Sequence, residues 1–185
     1  MTPPPSQSAS ESAESVESGE ASRYSVLRQS LGKGGMGTVE LAARREGSFV
    51  RVYAIKRLAG ALRDDASARA MFTDEARVAG LLRHPNVVSV LDVGTDASGP
   101  YLVMDYVKGL DLSRVMRGLR QRGQLLPIDV ALRILADLAA GLHAAHELRG
   151  PRGELLGLVH RDVSPHNVLV GFDGVVRLTD FGVAK

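Results

Sequence analysis

From Tyr24 onward the apolar residues recur in two rhythms, a two-residue alternation that marks strands and a 3.6-residue one that marks helices. Val26, Leu27 and Leu31 lead into a glycine cluster, and Val39 and Leu41 alternate with polar neighbours beyond it. Val50, Val52, Ala54 and Ile55 continue the β-rich composition. This stretch predicts antiparallel strands joined by short turns. Over about residues 66–82 the spacing becomes helical, with Met71, Val78, Ala79 and Leu82 on one face. Glu75 shares that face, four residues from both Met71 and Ala79. A carboxylate on a packing stripe costs desolvation energy unless it is paired, so this position predicts a cationic partner on the sheet.

Val87, Val88, Val90 and Leu91 predict another strand, and residues 101–106 one more after the Ser98-Gly99-Pro100 turn. The longest periodic run comprises Ile128, Ala131, Leu132, Leu135, Leu138, Ala139, Leu142 and Ala145, with Pro127 near its start, and predicts a core helix. A loop rich in Arg, Gly and Pro follows. Two short strands are then expected at 168–170 and 175–178, with residues 171–174 as their hairpin turn. No repeat of solenoid length interrupts this order.

Residues 1–22 follow neither rhythm. They hold seven serines, four glutamates, a Pro3-Pro4-Pro5 run, one strong apolar residue (Val16) and no Lys or Arg. Such a composition cannot bury enough surface to offset its ordering entropy, so a disordered tail is expected. Its serines are alternatively sites of phosphorylation. Without the tail the net charge rises from +2 to +6, a mild excess dispersed along the chain. With only 4% aromatic residues to stack on bases, nucleic acid is not an expected partner. The absence of cysteine excludes disulfides, thiolate-bound metals and thiol catalysis. No apolar run is long enough to span a bilayer and no signal-peptide pattern opens the chain, so a soluble, cytoplasmic protein is expected.

The glycine cluster is where chemistry enters. Gly32, Gly34 and Gly37 fit G-x-G-x-x-G, a weak match alone, and the residues after Gly37 alternate like a strand instead of opening the helix of a dinucleotide fold. Strand, glycine turn, strand makes a flap whose amides can approach phosphates, because glycine has no Cβ to hold the chain away. Tyr53-Ala54-Ile55-Lys56 places Lys56 19 residues after Gly37, and Glu75 lies 19 beyond Lys56. His160-Arg161-Asp162 is followed by Asn167, five after the aspartate, and Asp180-Phe181-Gly182 begins 18 after Asp162. Alone, an Asp-Phe-Gly reads as a turn and a strand lysine as a solvated charge. Their ordered conjunction reverses both readings.

With these motifs, from about Tyr24 to Lys185, the chain resembles the protein kinase family, specifically bacterial Hanks-type serine/threonine kinases, whose flap is commonly written G-x-G-G-M-G as here. The resemblance implies an α+β, bilobal fold. Residues 23–107 would form an antiparallel β lobe with one helix, ending in a hinge, and residues 108–185 an incomplete, mainly helical lobe. It implies ATP and Mg²⁺ as cofactors, and as partner a protein bearing a Ser or Thr acceptor; a kinase dimer is compatible with it. Lys56 would hold the α- and β-phosphates, oriented by Glu75, and Asp162 would accept or orient the acceptor hydroxyl. Asp180 and Asn167 would supply oxygen ligands to the metal. Gly32, Lys33, Gly34, Gly35 and Gly37 would cover the phosphates. Leu31, Val39 and Ala54 would roof the adenine and Leu169 would lie below it. Met104 resembles the gatekeeper, Asp105 to Val107 the hinge, and Asp111 would reach the ribose.

Three departures accompany the resemblance. Ser164 stands where serine/threonine kinases usually carry lysine, and a hydroxyl brings no positive charge to the transferring phosphate. An extended loop at 149–157 precedes His160. The activation segment and the helices completing the larger lobe, on the order of 100 residues, do not follow Gly182, so the chain is expected to be an N-terminal portion with poor protein phosphorylation on its own. Two other functions stay open: a nucleotide-binding pseudokinase or remnant acting through contacts, and a small-molecule phosphotransferase.

Overall fold

In a computed structural model that describes residues 23–34 and 37–181, the expected α+β organisation is present. The expected tail, Gly35 and Gly182 lie outside the described residues. Strands β1 (Ser25–Gly34), β2 (Gly37–Glu46), β3 (Phe49–Leu58), β4 (Val90–Asp96) and β5 (Gly99–Asp105) form one antiparallel sheet, ordered β1-β2-β3-β5-β4. Between Glu46 and Phe49 the chain reverses in two residues, and Gly47 takes the positive φ of 61° that such a turn needs.

Alternation along β3 decides what each face of this sheet packs. Tyr53 and Ile55 join Tyr24, Ala42, Tyr101 and Val103 on one side. Ala54 and Leu58 join Leu102, Met104 and the helical residues Phe72, Ala76 and Ala79 on the other. A short helix α1 (Gly60–Arg63) precedes helix α2 (Ala66–Ala79), which starts where the Asp65 carboxylate accepts from the amides of Ser67 and Ala68. The buried stripe of α2 runs through Phe72, Ala76 and Ala79, whereas Met71 is 40% exposed. The buried stripe therefore lies about one residue out of phase with the one the spacing predicts, because the sheet receives the Phe72 ring as anchor. The helix also ends at Ala79 instead of 82, and Leu82 is buried in the lower core instead.

Below this sheet lie strand β6 (Gly109–Asp111), helices α3 (Leu112–Gln121) and α4 (Ile128–His146), and strands β7 (Val168–Gly171) and β8 (Val176–Leu178), the three strands forming a second sheet in chain order. Helix α4 buries Ile134, Leu138, Gly141 and Ala145, but Ile128, Leu132 and Leu135 are 76%, 59% and 61% exposed. The apolar stripe is wider than the surface available to it, so among the described residues only one flank is core.

Val87 and Val88 are not strand as expected. The amide of Leu178 donates to the Asn86 carbonyl and that of Val88 to the Leu178 carbonyl, both at 2.9 Å, while Asn86 Nδ2 donates to the Val176 carbonyl. This seam ties β8, two residues before Asp180, to the segment that leads into β4. The loop after α4 closes on itself through an Arg149–Leu155 bridge and is largely exposed.

Candidate active site

A cavity of about 820 Å³ opens between the two sheets. Its roof is Leu31, Gly32, Lys33, Gly37 and Val39 from β1 and β2, with Ala54 and Lys56 from β3. Met104, Asp105, Tyr106 and Val107 line it along the connection between the two parts, Asp111 borders it, and Leu169 of β7 lies in the same wall set. A Cβ on Gly37 would collide with the Arg57 carbonyl of β3, so glycine there permits the close strand pairing that shapes the roof. A second depression of about 710 Å³, between α1, α2 and the β4–β5 turn, contains none of the motif residues.

Lys56 sits on a strand face that should be apolar and is only 5% exposed. Its Nζ lies 2.8 Å from Asp180 Oδ1, although 124 residues separate the two. Burying an ammonium without a partner would be costly, so the ion pair accounts for its retention in the wall. Glu75 is carried by α2, but its side chain is outside the described atoms. The carboxylate that meets Lys56 among the described residues is therefore that of Asp180.

The loop before β7 is built around His160, which is 2% exposed. The amide of Asp162 donates to His160 Nδ1 at 3.2 Å, so Nδ1 is the acceptor, and Nε2–H donates to the Thr179 carbonyl at 2.8 Å. The imidazole also rests against the Phe181 ring, with centroids 4.6 Å apart. Asn167 Nδ2 donates to the Asp162 carbonyl at 2.9 Å, and the Thr179 amide donates to the Asn167 carbonyl at the same distance. Asp162, Asn167 and Asp180 are thus braced together through backbone bonds. Arg161 and Asp180 both have φ of 64°, a left-handed conformation unusual for residues other than glycine. Each costs about 1 kcal/mol or more, and the surrounding bonds hold both in place.

Ser164 contributes its carbonyl, which accepts from the Asn167 amide. Asp111 does two jobs at the head of α3: Oδ1 accepts from the Arg114 amide at 2.8 Å, and Oδ2 pairs with Arg114 Nε at 3.1 Å. Sequence reasoning missed this cap, although Arg three residues after Asp at a helix start is a readable signal. It also missed the Thr179 carbonyl, which any residue type could supply, and the cavity residues Val88 and Arg117.

Among the described residues, no group of three or more His, Asp or Glu could hold a metal ion alone. The Asp180 carboxylate and Asn167 amide in one cavity nevertheless fit Mg²⁺, a hard ion that takes oxygen donors and usually keeps waters and substrate phosphates for its other positions.

Comparison with known proteins identifies the family. The family described as "Protein kinase domain" matches residues 25–185. "Tyrosine-protein kinase MasK" of Myxococcus xanthus is 39% identical over 161 residues, which are 86% of this chain and 25% of the relative. "Serine/threonine-protein kinase PksC" of Streptomyces coelicolor is 41% identical over 160 residues, 84% of this chain and 27% of the relative. A crystal structure of the Mycobacterium tuberculosis PknI kinase domain superposes with a TM-score of 0.70 at 34% identity, covering 88% of this chain and 59% of that one. The chain thus spans about a quarter of the length of these curated relatives. The match across both sheets and the gathering of the motif residues around one cleft lead to the same place: the chain belongs to the protein kinase domain family.

Proposed function

We propose that this chain carries the ATP site and catalytic residues of a protein kinase that transfers the γ-phosphate of ATP to Ser or Thr hydroxyls. The observation that carries this reading is the convergence of Lys56, Asp162, Asn167 and Asp180 on one cavity. Phosphoryl transfer asks for alignment and charge stabilisation more than covalent participation by the protein.

The apolar roof of Leu31, Val39 and Ala54, facing Leu169, suits a purine ring. The backbone of Asp105 to Val107 can hydrogen-bond its edge, Met104 bounds its depth, and Asp111 lies within the cavity for the ribose. Gly32, Lys33 and Gly37, which border the cavity, would cover the phosphates. Lys56 would bind the α- and β-phosphates, with Glu75 as the carboxylate that the resemblance assigns to orient it. Asp180 and Asn167 would hold Mg²⁺, which would supply positive charge to offset that of the phosphates. Asp162 orients the acceptor hydroxyl and receives its proton. Such a reaction runs where ATP is held, so we place the chain in the cytoplasm; no helix among the described residues is long and apolar enough to cross a membrane.

A second reading, nucleotide binding without transfer, is favoured by Ser164 alone. The MasK name adds a further choice, a tyrosine acceptor. One experiment separates them. The native product containing this chain is incubated with Mg²⁺ and ATP labelled at the γ-phosphate, and the phosphorylated amino acids are identified. Phosphoserine or phosphothreonine, lost on Lys56→Met by about 100-fold or more, is the expected result. Phosphotyrosine alone moves the acceptor class, and label that never leaves ATP while the nucleotide still binds establishes the second reading.

A further inference from the structure

Strands β2 and β3 pair along their whole length, from Gly37 with Leu58 to Glu46 with Phe49. Their neighbours stop earlier: β1 reaches only to Ala43 and β5 only to Tyr53. The outermost rows, Arg44 with Arg51, Arg45 with Val50 and Glu46 with Phe49, therefore form a two-stranded ribbon that no other strand flanks. At about 3.4 Å per residue, its three rows extend about 10 Å past the sheet.

The end of this ribbon is apolar where water would favour polar residues. Phe49 is 74% exposed and Val50 is 58% exposed, and neither joins a core cluster. As strand neighbours they face opposite sides of the ribbon, so both of its faces carry an apolar residue at the tip. Arginine accompanies each: Arg45 lies opposite Val50, and Arg51 shares the face of Phe49. Like charges directly opposite each other repel, and Arg44, opposite Arg51, is taken up by Glu46 at 3.3 Å and by the Tyr24 ring at 5.7 Å. Arg45 and Arg51 are exposed and make no ion pair among the described residues.

We propose that this ribbon is a peripheral contact with an anionic bilayer, in which Phe49 and Val50 enter the interfacial layer and Arg45 and Arg51 meet the lipid phosphates. An interfacial element buries its apolar part about 5–10 Å into the boundary between headgroups and acyl chains, which is within the reach of this ribbon. Cations beside the apolar tip are drawn to the negative surface of the membrane. Insertion and charge attraction acting together give reversible attachment, where either alone is marginal. Charge selects this occupant, since a second copy docked ribbon to ribbon would bring arginine against arginine. None of these residues lines the cleft, so attachment leaves the cleft's walls untouched.

The chain contains no tryptophan, so Phe49→Trp places a fluorophore at the tip. The protein is mixed with vesicles of phosphatidylcholine alone, or of phosphatidylcholine and phosphatidylglycerol in equal parts. With the anionic vesicles the emission is expected to shift to the blue and to be quenched by lipid brominated on its acyl chains. The shift should shrink as salt screens the arginines, and neutral vesicles should give little. In co-sedimentation with the same anionic vesicles, Arg45→Glu combined with Arg51→Glu should weaken partitioning at least about ten-fold, and so should Phe49→Ser combined with Val50→Ser. An emission unmoved by anionic vesicles, an equal response to neutral ones, or sedimentation undiminished in both variants overturns the proposal. A blue shift that follows protein concentration without lipid also overturns it, and gives the ribbon to a second copy. Each outcome is read without ATP and leaves the phosphotransfer reading to its own experiment.

Discussion

The roles proposed for Lys56 and for the Ser164 position both concern the transferring phosphates, and their chemistry sets opposite expectations. Lys56→Met removes a buried charge that has no substitute at that depth, so transfer should collapse. Ser164→Lys should instead accelerate it, since a charge-assisted hydrogen bond exceeds a neutral one by about 1 kcal/mol, or about five-fold in rate. Single-turnover kinetics on the variant check this, and a slower rate would mean the serine is not a weakened lysine position. Asp96 offers a residue-scale test of stability. Burial would raise its carboxyl, but hydrogen bonds from the Arg57 guanidinium and the Ser98 amide, together with the Arg57 charge, hold it below the usual range. Because the folded value is depressed, the bond's contribution is complete above the ordinary carboxylate pKa of about 3.9 and disappears as pH falls through the depressed one. Asp96→Asn should therefore lower Tm at neutral pH and leave it unchanged in strong acid. A Tm difference independent of pH would contradict the assignment.

At the scale of elements, glycine spacing, alternation and turn residues were enough to read strands β1 to β3, the existence of both long helices and the β7–β8 hairpin. What they could not supply was phase. The stripe of α2 turned on which of Met71 and Phe72 the sheet would accept, and the stripe of α4 is wider than the surface that covers it. Both depend on neighbours far away in sequence. Val87 and Val88 looked like strand because they are β-branched, yet they pair with β8 through a seam that no local pattern announces. That seam is testable at Gly141 of α4. Alanine would improve helix propensity by about 1 kcal/mol, but its Cβ would lie 2.9 Å from the Asn86 carbonyl oxygen, which already accepts from Leu178. Backbone at that distance must shift, so Gly141→Ala is expected to lower Tm. A higher Tm would show that the helix can move away from the seam freely.

The whole molecule brings together residues the sequence could only list in order. Their types and spacings made the chemistry legible before any fold was known, because phosphate, metal and hydroxyl each demand a particular side chain. The contacts among them were not legible. The direct pairing of Lys56 with Asp180 and the two left-handed residues at the cleft arise from how the sheets face each other. The central claim is that this cleft binds ATP together with Mg²⁺ through Asp180. Its most direct test is a calorimetric titration of the purified protein and of Asp180→Asn with ATP, with and without Mg²⁺. The account predicts that Mg²⁺ tightens ATP binding in the native protein and has little effect in the variant. ATP binding equally sensitive to Mg²⁺ in both, or absent from the native protein, would contradict it.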